Sequence, residues 1–251
     1  MSNNDERFGK SNKTILWVVL GCGCGCGLAL LILVGIGIIM AMPAIQAVRR
    51  AAQEMTTLVT CQNFEKQISL ALHNYHEVYQ SFPPAYTTDE DGNPLHSWRV
   101  LLLPYLEEGA MYREIRLSEP WDSEYNRQFH SRMPISYNCQ LTPEVKEAGL
   151  TSYMRVVGPG TTTDGPGTTG IGDIEVGMSN VIWLVEVMPT TCWMAPVDIQ
   201  ESDLADNFKF GSVHSPLAGS SIINVGFLDA TVQSLGEHDV ATIKERVKIK
   251  R

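Results

Sequence analysis

His73 and His76, followed by Glu77, are the residues of this sequence best spaced for chemistry, since two imidazoles three positions apart on a helix share a face and could bind a metal. The order departs from His-Glu-x-x-His and no third ligand is evident, so polar packing of a helix against a domain is the better reading. Asp89, Glu90, Asp91, Gly92 and Asn93 read as a fragment of a calcium loop, in which carboxylates supply hard oxygen ligands. Pro94, Leu95, His96, Ser97 and Trp98 stand where a closing glutamate would come, which favours an exposed Asp-Gly turn. The glycine-rich stretch Gly158–Gly172 has no Gly-Lys-Ser or Gly-Lys-Thr and cannot cradle a phosphate as a P-loop does. No Gly-x-Ser-x-Gly elbow occurs around Ser179 or elsewhere. His214, Asp229 and several serines make a triad on paper, but no spacing selects one. The expectation is no catalytic residue, no metal site and no cofactor.

The scaffold for these residues begins with an anchor. From Thr14 to Met42 the chain has no charged residue, longer than the roughly 20 apolar residues that span hydrocarbon. A secretory signal would have a shorter apolar core and a small-residue cleavage site, so a retained transmembrane helix is expected. Arg7, Lys10 and Lys13 precede it and Arg49 and Arg50 follow it, a small bias toward a cytoplasmic N-terminus. Gly21, Gly23, Gly25 and Gly27 alternate with Cys22, Cys24 and Cys26, and small residues four apart let helices approach closely; tolerance of small residues in lipid is the competing reading. Val19, Leu20, Gly21 and Cys22 also read as a lipobox, although a lipoprotein has no use for the apolar run that follows. The lipid bilayer is thus the first expected partner. The net charge of -9, with no basic patch, excludes a nucleic-acid binder.

Past Pro43, which should kink or break the helix, Val48, Ala52, Met55, Val59, Phe64, Ile68, Leu72, Tyr75 and Tyr79 recur mostly at three- or four-residue steps, one helical stripe. Short helices are expected at Trp98–Leu106, interrupted by Pro104, and at Glu124–Arg132. Strands are expected at Tyr153–Val157, Val181–Val187, Ile222–Leu228 and Thr231–Leu235, the last two forming a hairpin about Asp229 and Ala230. Gly158–Gly172 reads as an exposed loop, and Asp239–Arg251 as a short charged helix or tail. The organisation is a tail at 1–13, a transmembrane helix at 14–42, an amphipathic stalk at 43–80 and an α+β domain at 81–251.

Several long blocks carry a resemblance: MPAIQAVRRAAQ, then CQNFEKQISLALHNYHEVYQSFPPAYTTDEDGNPLHSWRVLLLPYLEE and EPWDSEYNRQFHSRMP, and later TSYMRVVGPGT, MSNVIWLVEV and INVGFLDATVQSL. They resemble the large bacterial family called domain of unknown function 1559, pilin-like proteins often labelled prepilin-type or solute-binding-like. The resemblance implies an α+β, pilin-like fold, with a long N-terminal helix (transmembrane, then amphipathic) packed on a small domain with an antiparallel sheet. Two departures stand out. Typical members have a Phe-Thr-Leu-Ile-Glu processing site before the apolar run, absent here, which removes the basis for expecting peptidase cleavage and fibre assembly. Members also carry His-Pro-Gly-Gly and then Asp-Gly in the last hairpin, whereas His214 is followed by SPLAGSS and Asp229 by Ala230. Cys61 and Cys139 fall on blocks that match the family, so a disulfide between them is expected in an oxidising compartment, leaving Cys192 unpaired. Three buried thiols remain the alternative, because the pairing itself cannot be read from three candidates.

The function expected is structural or interactive: a non-enzymatic, pilin-like envelope protein of the inner membrane, N-terminus inside and domain outside. Its partners would be the bilayer and, through the N-terminal helix, further copies or other pilin-like proteins. A tethered solute- or polymer-binding module using Trp98, Trp121, Trp183 and Trp193 is the second reading, and an envelope hydrolase the third.

Overall fold

The structure, a computed structural model, describes residues 11–139, 147–204, 208, 210, 222–236 and 239–250, by backbone alone at 11–30 and 189–190. The chain divides into two compact units, Met1–Ala52 and Gln53–Arg251. Helix α1 (Ser11–Tyr79) supplies the described part of the first unit. There Leu31, Ile32, Leu33, Val34, Ile36, Ile38, Ile39 and Met40 are all exposed, so this helix is long and apolar enough to cross a membrane. Of the kink or break expected at Pro43, the break does not occur: Pro43 sits inside α1, with helix on both sides. Its missing N–H removes one hydrogen bond, while an apolar stretch offers the remaining backbone groups no better partners than those of the helix itself.

In the second unit α1 buries Cys61, Glu65, Ile68, Ser69, Ala71 and Leu72. The expected apolar stripe is therefore divided: Ile68 and Leu72 are core, while Val48, Met55, Val59 and Tyr79 are exposed. Strands β1 (Tyr86–Thr88) and β2 (Pro94–Ser97) form an antiparallel hairpin, followed by α2 (Trp98–Leu101) and α3 (Gly109–Glu114). Then come β3 (Leu150–Met154), β4 (Val156–Val157), β5 (Ile182–Cys192), β6 (Ile199–Gln200), β7 (Ile222–Phe227), β8 (Val232–Gly236) and α4 (Val240–Arg246). The main sheet is antiparallel in the order β3-β5-β7-β8, and β4 and β6 form a separate parallel pair. The fold is α+β, a long N-terminal helix joined to an antiparallel-sheet domain.

Strand side chains alternate between faces, which gives this sheet two cores. One cluster joins Cys61, Ile68 and Leu72 of α1 to Trp98, Tyr137, Tyr153, Trp183, Leu184 and Trp193. The other joins Val185, Ile223, Val225 and Phe227 to Val240, Ile243 and Val247 at α4. A register shift between Ile182 and Leu184 leaves Trp183 and Leu184 both in the first cluster. The stretch from Gly158 to Gly172 is not wholly exposed as expected: Thr161, Thr162 and Thr163 are buried. Backbone bonds from Phe82 to Thr169, from Ala85 to Gly165 and from Ile249 to Gly160 hold it down.

Candidate functional site

Polar groups are costly to bury unless they are partnered, so their concentration inside a small domain marks the places where this fold does something other than exclude water. Two such clusters meet at Tyr153 of β3. On one side, the Tyr153 carbonyl accepts from Nε (2.9 Å) and Nη2 (2.6 Å) of Arg99, a fully buried residue of α2. Arg99 Nη2 also donates to Asp198 Oδ1 at 3.0 Å, with both side chains nearly inaccessible. Asp198 accepts in addition from Trp98 Nε1 and from the backbone N–H of Arg155. Arg155, buried too, donates to the Pro83 carbonyl and to Thr162 Oγ1, which explains why that threonine is drawn inside. Asp198 thus pairs with the Arg99 guanidinium and the Arg155 backbone, while the π face of Trp98 lies by both guanidiniums and that of Trp183 by Arg155. Burial pulls Arg155 down to about 10, with Asp198 opposing the shift and Arg99 adding to it.

On the other side, the Tyr153 hydroxyl donates to the Cys61 carbonyl at 3.2 Å. Cys61 is bonded to Cys139, tying α1 to a segment far along the chain. Glu65 follows Cys61 by one helical turn, and Glu186 reaches the same space from β5; both are fully buried. A carboxylate oxygen of Glu186 and the two sulfurs lie within 4.8 Å of one another. Asn224 of β7 donates its side-chain N–H to Glu186 Oε2 at 3.0 Å and its backbone N–H to the same oxygen at 3.4 Å. Ser234 donates to Asn224 Oδ1, and Gln62 of α1 donates to Ser234, which closes the set from the rim. Burial first, then Glu186, raises Glu65 well above the ordinary carboxylate range. Burial, then both carboxylates, raises Tyr153.

The residues singled out by spacing are dispersed. His73 contacts the Leu228 carbonyl at 2.6 Å, and His76 Nε2 accepts the Ile171 N–H, so each imidazole fastens α1 to a different loop. Asp89 Oδ1 accepts the backbone N–H groups of Asp91 and Asn93, and the Asn93 side chain bonds Oδ2, which holds Asp89 below its usual range. Gly92 completes that turn at φ +86°. Asp229 caps the β7–β8 turn through the N–H and hydroxyl of Thr231. His214 lies outside the described residues. Gly21, Gly23, Gly25 and Gly27 lie in α1, in the stretch described by backbone alone. Trp98, Trp183 and Trp193 are core residues, and the half-buried Trp121 stacks on His130. A groove of about 400 Å³ between Val176, Asn180, Glu245, Arg246, Lys248 and Lys250 contains no tryptophan.

Spacing overlooked the buried polar clusters, although composition flags them. Glu65 stands with Cys61, Ile68 and Leu72 on an apolar helix face, Glu186 sits inside VIWLVEV, and Arg99 inside WRVLLL. A charge in such a run is the readable signal; which charges meet is not.

These features define a class: an α+β domain carried on a long N-terminal helix whose first part is apolar and whose last turns are stapled into the domain by a disulfide. Within that class the chain belongs to the family described as protein of unknown function DUF1559, whose model matches residues 46–190, more than half of the chain. The match takes in Cys61, Glu65, Arg99, Cys139, Arg155 and Glu186. No curated protein and no solved structure matches the chain.

Proposed function

We propose that the chain is a membrane-anchored, non-enzymatic, pilin-like envelope protein with a structural or interaction role. The observation that carries this reading is that one helix, α1, is apolar and exposed over Leu31–Met42 and then enters a disulfide-closed core at Cys61. The domain faces the oxidising side of the inner membrane, where such a bond persists. The N-terminal tail stays in the cytoplasm. Gly21 with Gly25, and Gly23 with Gly27, form two small-residue faces along which copies of the helix, or helices of other pilin-like proteins, associate sideways.

The experiment is a topology assay on the full chain in bacterial inner membranes. Protease added to intact spheroplasts should digest the domain and leave the N-terminal tail protected, and alkaline carbonate should not extract the uncleaved protein. A soluble processed domain, or one shielded inside the spheroplast, would reject the reading. Cross-linking in the same membranes should give dimers that Gly21→Leu combined with Gly25→Leu abolishes; monomer alone would reject the sideways association. The tryptophan-based binding reading has no support in the geometry, because three of its four rings are interior.

A further inference from the structure

Glu65 is fully buried, and neither of its carboxylate oxygens has a hydrogen-bond partner. Gly226 of β7 lies beneath it: an added Cβ there would come within 3.7 Å of Glu65 Oε2 and 3.3 Å of Leu184 Cβ. Titratable groups face it from two strands, Glu186 of β5 and Tyr153 of β3. Asn224 of β7 is neutral; on α1 itself Cys61 is in the disulfide, Ser69 is neutral and Lys66 is exposed. Asn224 gives Glu186 two N–H bonds, while Glu65 receives none that could stabilise a charge. Burial without a hydrogen bond, beside a second carboxyl, favours the neutral form of Glu65.

A divalent cation is the other means of seating two carboxyls together. Calcium takes about six to eight oxygens, more than this enclosure holds, and the two sulfurs are bonded to each other and offer no thiolate to zinc. A proton requires neither.

We propose that Glu65 is a proton-dependent latch: as the neutral acid it lets the last turns of α1 lie on the sheet, and its ionisation loosens them. The sign follows from linkage. Burial and Glu186 raise Glu65 in the folded chain, so between the unfolded value of about 4.3 and the raised one the folded state holds a proton that the unfolded state has released. The stabilisation is complete below the unfolded value and is lost as pH rises through the folded one. Rising pH above the unfolded value should therefore loosen α1 on the sheet.

The test is thermal unfolding of the full chain in detergent, followed by the fluorescence of the buried tryptophans from about pH 6 to about pH 9. The wild-type Tm should fall by on the order of 5 °C across this range, and Glu65→Gln should flatten the profile and melt higher than wild type at the alkaline end. A flat wild-type profile, or an equal fall in Glu65→Gln, would overturn the latch. So would an alkaline Tm restored by added calcium or zinc, which would make the pair a cation site. Should the variant not fold, infrared spectra of the wild type with 13C-labelled glutamate serve instead. A protonated-carboxyl band at neutral pH that vanishes on alkalinisation supports the latch, and its absence at neutral pH overturns it.

Discussion

Asp198 is the carboxylate on which the buried Arg99 guanidinium, the Arg155 backbone N–H and the Trp98 indole N–H converge. Asp198→Ala should cost about 3–5 kcal/mol, because it leaves Arg99 charged and uncompensated in the core. Urea unfolding of the full chain, read by tryptophan fluorescence, measures the loss. Ala230 presents the opposite case. It holds φ at +65° in the β7–β8 turn, a conformation that strains any residue with a Cβ. Ala230→Gly should stabilise the protein by about 0.5–1 kcal/mol once the greater freedom of glycine in the unfolded chain is deducted. The same urea assay gives the sign. This turn also clarifies a departure noted in the sequence: a hairpin that tolerates Asp-Gly keeps its shape with Asp-Ala, since Asp229 still bonds Thr231.

At the scale of elements, the disulfide is the largest removable restraint, closing a loop with a sequence separation of 78. Cys61→Ser should destabilise the domain by roughly 2–5 kcal/mol, and a reductant should do the same to wild type and nothing further to the variant. Much of the element map was legible. The strands at Tyr153, Val181 and Ile222 announce themselves by β-branched and aromatic runs, and the interrupted helix after Trp98 by Pro104. The β1–β2 hairpin was not legible, because strands of three and four residues are too short to show a period of two. Nor was the burial of Thr161–Thr163, where Arg155 holds Thr162 from outside the loop and Thr161 bonds Gly158 and Thr163 within it. The candidate site was half legible: Glu65, Glu186 and Arg99 are visible oddities in apolar runs. Their juxtaposition depends on strand register and on which face of α1 meets the sheet, and neither is a local property of sequence.

For the whole molecule, the contrast lies between a first unit whose large described apolar side chains are exposed and a second built round two apolar cores. The proposed membrane anchoring assigns the hold on a bilayer to the first unit alone. Of two substitutions made together, Ile32→Arg, near the middle of the span, adds about 2.5–3.5 kcal/mol of insertion cost, and Ile39→Arg, nearer its end, adds less. Carbonate extraction should then move the protein from the pellet to the supernatant, while the tryptophan signal of the domain stays folded; retention in the pellet would mean that the domain holds the membrane itself.

The Cys61–Cys139 bond also bears on what happens when the chain is cut. A clip anywhere between those two positions severs the backbone but leaves the C-terminal fragment covalently fastened to the N-terminal helix. Such a clipped molecule would run as one band on a non-reducing gel and as two after a thiol is added. The protein could thus lose continuity across its stalk and hairpin and still keep its domain on the N-terminal helix, so that under the proposed anchoring reducing power rather than proteolysis alone decides when the domain is shed.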